Sequence, residues 1–126
     1  MKVLIVDDDK DTRDLTRLTL EGSGVEVVAC PSGPEALNYL ENHSGEFDAA
    51  LLDLSMAALD GLTVAEEIRR NECKREAVPL RLAFFTARTI DDPIERIAKA
   101  THVERIFKKA VDIGTLGEQV KNWLSN

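Results

Sequence analysis

Four short strand-like segments in this chain, three of them wholly apolar, are each followed at once by charged or hydroxyl side chains. Val3-Leu4-Ile5-Val6 runs into Asp7, Asp8 and Asp9, and Ala49-Ala50-Leu51-Leu52 runs into Asp53. Leu82-Ala83-Phe84-Phe85 is followed by Thr86, and Val103 to Phe107 by Lys108 and Lys109. Three or four carboxylates gathered in one place repel each other, so their charged forms are costly without a counter-ion. A hard divalent cation such as Mg²⁺ relieves this, because it takes oxygen ligands and keeps several waters. A carboxylate beside such an ion is also a nucleophile toward a phosphoryl group. The equatorial oxygens of that group need positive charge and hydrogen-bond donors, which the ion, a lysine and a hydroxyl supply. Asp, Thr and Lys at these run ends therefore make a phosphoryl-transfer set, provided the chain brings the ends together.

Taken singly, each residue has a plainer reading. An acid after a strand is commonly a helix cap, and Asp9 or Asp11 suits that role. A lone Asp53 reads as a turn residue, Thr86 alone carries no signal, and one lysine at a strand end is usually solvated. It is the coincidence at four run ends that singles the group out.

The elements that must position these residues are legible as an alternation. Short apolar runs, with Val25 to Ala29 as the second of five, alternate with amphipathic stretches. The first stretch, about Lys10 to Leu20, closes at the Gly22/Gly24 pair. Ser32-Gly33-Pro34-Glu35 reads as a capping box with proline in the first turn, ahead of a helix that stops near Gly45. Asp60 caps the third helix from Gly61 onward, and Pro79 marks the break before the fourth strand. Pro93 sits in the first turn of the fourth helix, and Asp112 caps the fifth. Five βα repeats predict an α/β fold with a parallel sheet covered on both faces. Right-handed crossovers make it doubly wound, with the flavodoxin-like strand order 2-1-3-4-5. In such a sheet ligands bind beyond the carboxyl ends of the strands, and strands 1, 3, 4 and 5 carry the four groups there.

The chain has 126 residues, with 16 Lys and Arg against 23 Asp and Glu, a formal net charge of −7. The length suits a single domain, residues 1–126, with no output domain in the chain. The acidic balance argues against direct nucleic-acid binding. No apolar run approaches the ~20 residues of a membrane span, and the N-terminus lacks a signal peptide's long apolar region, so a cytoplasmic location is expected. Cys30 and Cys73 show no zinc or C-x-x-C spacing and read as reduced, partly buried thiols. His43 and His102 read as surface residues.

LIVDDD followed by a helix, LLDLSMAALDG, FFTA and the late lysine resemble the receiver domain of two-component response regulators, over the whole chain. The resemblance implies that Asp53 is the phosphorylated aspartate and that Asp7 and Asp8 are the acidic pair holding Mg²⁺. Ser55 matches the position whose backbone carbonyl ligates the metal. Thr86 matches the switch hydroxyl, Ala87 the small residue after it, and Lys109 the lysine that pairs with the acyl phosphate; its neighbour Lys108 is the rival for that role. Asp60-Gly61 matches the D-G at the start of the third helix. The implied partners are a sensor histidine kinase or histidine phosphotransfer protein as donor and a downstream effector protein as reader, with homodimer formation as one outcome of phosphorylation. The module is a signalling receiver rather than an enzyme, catalysing only its own phosphorylation and dephosphorylation. Three positions depart from the family pattern: Ala57 and Ala110 stand where prolines are usual, and Ile106 where strand 5 usually carries an aromatic switch residue. Without proline, the Lys109-Ala110 peptide is expected to be trans. With Ile106 in place of a ring, the readout is expected to fall on the segment from Ala87 to Pro93.

Other readings fit less well. A haloacid-dehalogenase-like phosphatase needs a second Asp two residues after the nucleophile, where Ser55 stands. A flavin-binding protein needs a phosphate loop after strand 1, where three acids would repel it. Gly22-Ser23-Gly24 follows a helix rather than a strand and lacks the third glycine of a dinucleotide fingerprint. The remaining alternative is a degenerate receiver acting as a phosphorylation-independent binding module, which the departures favour and the complete Asp7, Asp8, Asp53, Thr86 and Lys109 set opposes.

Overall fold

The computed structural model describes residues 1–43, 45–56, 60–109 and 113–125. Five parallel strands, β1 (Lys2–Val6), β2 (Glu26–Cys30), β3 (Ala49–Leu52), β4 (Arg81–Thr86) and β5 (Val103–Lys108), form one sheet in the order β2-β1-β3-β4-β5. Helices α1 (Lys10–Gly22), α2 (Gly33–Asn42), α3 (Gly61–Arg75), α4 (Asp92–Ala100) and α5 (Leu116–Leu124) connect and follow them. The doubly wound α/β architecture and the strand order are those expected.

The two-residue period of a strand divides the core into two layers. Leu4, Val6, Ala50, Leu52, Leu82 and Phe84 pack with Ala36, Val64, Ala65, Ile68, Ile94 and Ala98 of α2, α3 and α4. Their neighbours Val3, Ile5, Ala49, Leu51, Ala83 and Phe85 face the other way, onto Leu20 of α1 and Leu116, Val120 and Trp123 of α5. An apolar run that does not alternate is what burial on both faces requires. The edge strand β5 departs from this: Glu104 and Arg105 are exposed, and the ladder with β4 slips between Leu82 and Ala83.

The helix starts follow the cap residues. Asp9, Ser32, Asp60 and Asp91 accept the backbone N–H groups of Thr12, Glu35, Thr63 and Ile94, satisfying amides with no partner inside the helix. The second strand starts one residue later than Val25, because Gly24 turns the chain at φ +87° and the Val25 N–H still donates back to the Leu20 carbonyl. Helix α2 ends at Asn42, before Gly45. Thr86 and Lys108 belong to their strands, one residue beyond the apolar runs. Helix α5 is entered through a 3-10 turn, Ile113–Thr115, and Thr115 makes no side-chain cap bond. The Asp112 cap, the Lys109-Ala110 peptide and the proline-replacing residues Ala57 and Ala110 lie outside the described residues. Both cysteines are free; Cys30 is buried, whereas Cys73 is exposed rather than partly buried, on the solvent side of α3. Among the described residues, no helix is long and apolar enough to cross a membrane.

Candidate functional site

The acids are placed by the ladder itself. Beyond the last residues of β1 and β3 the pairing continues by one bond each. The Asp7 N–H donates to the Cys30 carbonyl at 3.2 Å, and the Asp53 N–H to the Val6 carbonyl at 3.0 Å. Two carboxylates thus leave neighbouring strands at the same end of the sheet, and both are buried, at 4% and 5% exposure. Asp8 is exposed beside them. One ligand oxygen from each of Asp7, Asp8 and Asp53 can be chosen so that all lie within 4.8 Å of one another.

Each buried carboxylate is held in the same two-sided way. Asp7 Oδ1 accepts the Asp9 N–H at 3.0 Å, and Asp53 Oδ1 accepts the Ser55 N–H at 3.2 Å. The other oxygens face one ammonium: Lys109 Nζ lies 2.9 Å from Asp7 Oδ2 and 3.4 Å from Asp53 Oδ2. Lys109 is steered there because its own N–H donates to the Thr86 carbonyl at 2.8 Å, at the end of the β4–β5 ladder. Burial raises the Asp53 carboxyl above its ordinary range, and the charge of Asp7 adds to this. The Ser55 N–H and the Lys109 ammonium pull it back down. The pocket therefore favours added positive charge. Its donor set is oxygen only, which suits a hard divalent cation and disfavours a soft one.

Thr86 is fully buried, and its Oγ1 accepts the Arg88 N–H at 2.9 Å. Lys108 points elsewhere than Lys109: its Nζ donates to the Arg88 carbonyl. The structure thus brings Asp7, Asp8, Asp53 and Lys109 together and ties Thr86 to them through the backbone of Lys109. Ser55 is exposed at the rim, two residues beyond Asp53. Asp9 caps α1, as its plainer reading had it.

Two contributors were missed in the sequence. Arg13, one turn into α1, donates Nη1 to the Asp7 carbonyl at 2.8 Å; its only signal was a place four residues after the Asp9 cap. Gly61 was noted for its motif but not for its space. A Cβ there would lie 2.9 Å from the Asp53 carbonyl carbon and closer still to its oxygen. The first turn of α3 rests directly on the backbone that carries Asp53.

Comparison with known proteins bears on this arrangement. A family model described as the response regulator receiver domain matches residues 3–121. Ethylene receptor 2 of Oryza sativa subsp. japonica is 30% identical over 128 aligned residues, covering 100% of this chain and 16% of the receptor. The sensor histidine kinase GacS of Pseudomonas protegens is 29% identical over 122 residues, covering 97% of this chain and 13% of the kinase. The chain therefore spans only a small part of the length of these relatives. The solved structure of the response regulator protein TrrA from Thermotoga maritima, in complex with Mg²⁺-BeF, is 28% identical, with a TM-score of 0.76 and 96% of each chain covered. A CheY-like receiver domain protein from Methanospirillum hungatei shares the fold at a TM-score of 0.82, with 23% identity and coverage of 98% of this chain and 93% of that one.

Proposed function

The chain belongs to the response regulator receiver domain family, a family of signalling modules, and from that premise we propose that it is a phospho-accepting receiver with Asp53 as the acceptor. The observation that carries the reading is the pair of buried carboxylates joined by one ammonium, Asp7–Lys109–Asp53. Burial withholds water from the Asp53 carboxylate, and Lys109 stands where charge develops on a transferring phosphoryl group. An Asp53 oxygen attacks the phosphorus of a phosphohistidine. The P–N bond breaks, the imidazole nitrogen leaves with its electron pair, and an acyl phosphate forms. Hydrolysis of that acyl phosphate resets the domain.

Asp7, Asp8 and Asp53, with the Ser55 carbonyl, are the groups that would hold Mg²⁺; the three carboxylates meet within the reach of one ion. When bound, the ion neutralises phosphoryl oxygens and carboxylates together. Lys109 then remains for the acyl phosphate, and the Thr86 hydroxyl donates to the new oxygens. The Mg²⁺-BeF complex of TrrA supports this use of the pocket.

The donor we propose is a sensor histidine kinase or a histidine phosphotransfer protein, a reading supported by the similarity to sensor histidine kinase GacS. The reader is an effector protein that recognises the phosphorylated surface, with homodimer formation as one form of output. The acidic balance, net −7, disfavours direct contact with nucleic acid, and the setting we propose is the cytoplasm. The experiment is incubation with acetyl phosphate and Mg²⁺, followed by intact mass. Wild type gains one hydroxylamine-labile phosphoryl group, Asp53→Asn gains none, and Asp60→Asn, which alters only the α3 cap, still gains it. Labelling that persists in Asp53→Asn overturns the assignment.

A further inference from the structure

The residue Arg88 is gripped at both ends of its backbone. Its N–H donates to Thr86 Oγ1 at 2.9 Å, and its carbonyl accepts the Lys108 ammonium. The two grips come from adjacent strands that pair Thr86 with Lys108 in register. Thr86 is buried, whereas Arg88 is exposed. The neighbouring Lys109 holds the carboxylates. Two successive lysines therefore serve two ends of one device: one at the acids, one at the loop after Thr86.

We propose that Lys108 is a positioning residue that pins the Arg88 peptide, keeps the Thr86 hydroxyl engaged by the Arg88 N–H, and so holds the Ala87–Pro93 segment in its unphosphorylated arrangement. This rests on the reading of Asp53 as phosphoacceptor. Turning the Thr86 hydroxyl toward a phosphoryl group on Asp53 gives up its place opposite the Arg88 N–H unless the loop moves with it. The loop moves only when the Arg88 carbonyl leaves Lys108. The ammonium thus opposes the switched state by the strength of one charge-assisted bond at the surface. A group that binds one state alone shifts the equilibrium by its differential affinity and no more. Lys108 sets the threshold of the response, not its chemistry.

The test compares wild type with Lys108→Met, which keeps the aliphatic stem and removes the donor, and with Lys108→Arg, which restores a donor. Amide hydrogen exchange in the unphosphorylated protein reads the grip without any phosphoryl chemistry. The Arg88 amide should exchange faster in Lys108→Met and recover in Lys108→Arg. Titration with beryllium fluoride and Mg²⁺ reads the threshold: Lys108→Met should bind roughly two- to five-fold tighter than wild type, and Lys108→Arg should return toward wild type. Unchanged Arg88 exchange overturns the grip. Faster exchange with unchanged beryllium fluoride affinity overturns its regulatory effect. Failure of wild type itself to bind beryllium fluoride overturns the phosphoacceptor reading and removes the threshold with it, while the exchange arm still decides the contact.

Discussion

Asp53 depends on a residue with no side chain. The Cβ that Gly61 lacks would lie 2.9 Å from the Asp53 carbonyl carbon, and backbone cannot rotate out of the way as a side-chain tip can. Gly61→Ala should therefore push α3 off β3 or tilt the Asp53 peptide. Overpacking of this kind costs ~1–3 kcal/mol, measurable as a lower urea midpoint. Because the displaced atom is one residue's own backbone, acyl phosphate formation should slow more than stability alone accounts for. A variant with the stability loss but wild-type phosphorylation kinetics would show that α3 absorbs the shift. At this scale the sequence was informative where a polar type follows an apolar run, since strand direction then fixes its place. That is why Asp7, Asp8, Asp53 and Lys109 were legible as a group. It was silent where a contact runs through backbone, as with Arg13 on the Asp7 carbonyl. Adjacent Lys108 and Lys109 could not be told apart by type; the structure separates them because one is directed to the Arg88 carbonyl and the other to carboxylates.

Helices α1 and α5 meet at another close approach. A Cβ on Gly117 would lie 2.9 Å from the Ser23 Cβ and nearer still to Ser23 Oγ and the Thr19 carbonyl. The Thr19 hydroxyl also reaches across to the Gly114 carbonyl at 3.3 Å. Gly117→Val should wedge the two helices apart and lower stability by about 1–3 kcal/mol, read by urea unfolding. The proposed phosphoacceptor pocket, carried by β1, β3 and β4 and by Lys109 after β5, should keep its activity while the protein stays folded. Elements were legible to the extent that their ends carry side-chain chemistry. Asp9, Ser32 and Asp60 mark three helix starts because each bonds the amide three residues on. The start of α5 was not, since Thr115 leads in from a 3-10 turn without a side-chain bond. Strand β5 was legible from Val103 to Phe107, one residue short of its end, and the exposed Glu104 and Arg105 within it are the signal of an edge.

Two charge arrangements act on the molecule as a whole, and they respond to different solution variables. On one edge Arg81 of β4 forks onto Glu104 of β5 at 2.8 Å, and the Trp123 indole of α5 donates to the same carboxylate at 3.2 Å. The Arg81 hydrogen bonds hold Glu104 below its ordinary 4.5, with burial opposing and the Trp123 bond assisting. A carboxyl lowered on folding stabilises the fold above its unfolded value, and that contribution fades as pH falls through 4.5 and then through the lower folded value. The stability gap between wild type and Glu104→Gln, read by urea unfolding, should be present at pH 7 and shrink below about pH 4.5. The other arrangement answers to metal. Asp7, Asp8 and Asp53 crowd negative charge at one end of the sheet, in a chain of net −7, and Lys109 alone offsets the buried pair among the described ion pairs. Mg²⁺ at ten times its dissociation constant should raise the unfolding free energy by ~1.4 kcal/mol, because the unfolded chain has no such site. Trp123, buried at 3% against Phe107 and bonded to Glu104 rather than to the acidic cluster, reports that unfolding. The increment should fall in Asp8→Asn and Asp53→Asn and persist in Asp60→Asn, whose carboxylate is committed to the Thr63 N–H. An equal Mg²⁺ increment in all three variants would place the ion elsewhere on the acidic surface.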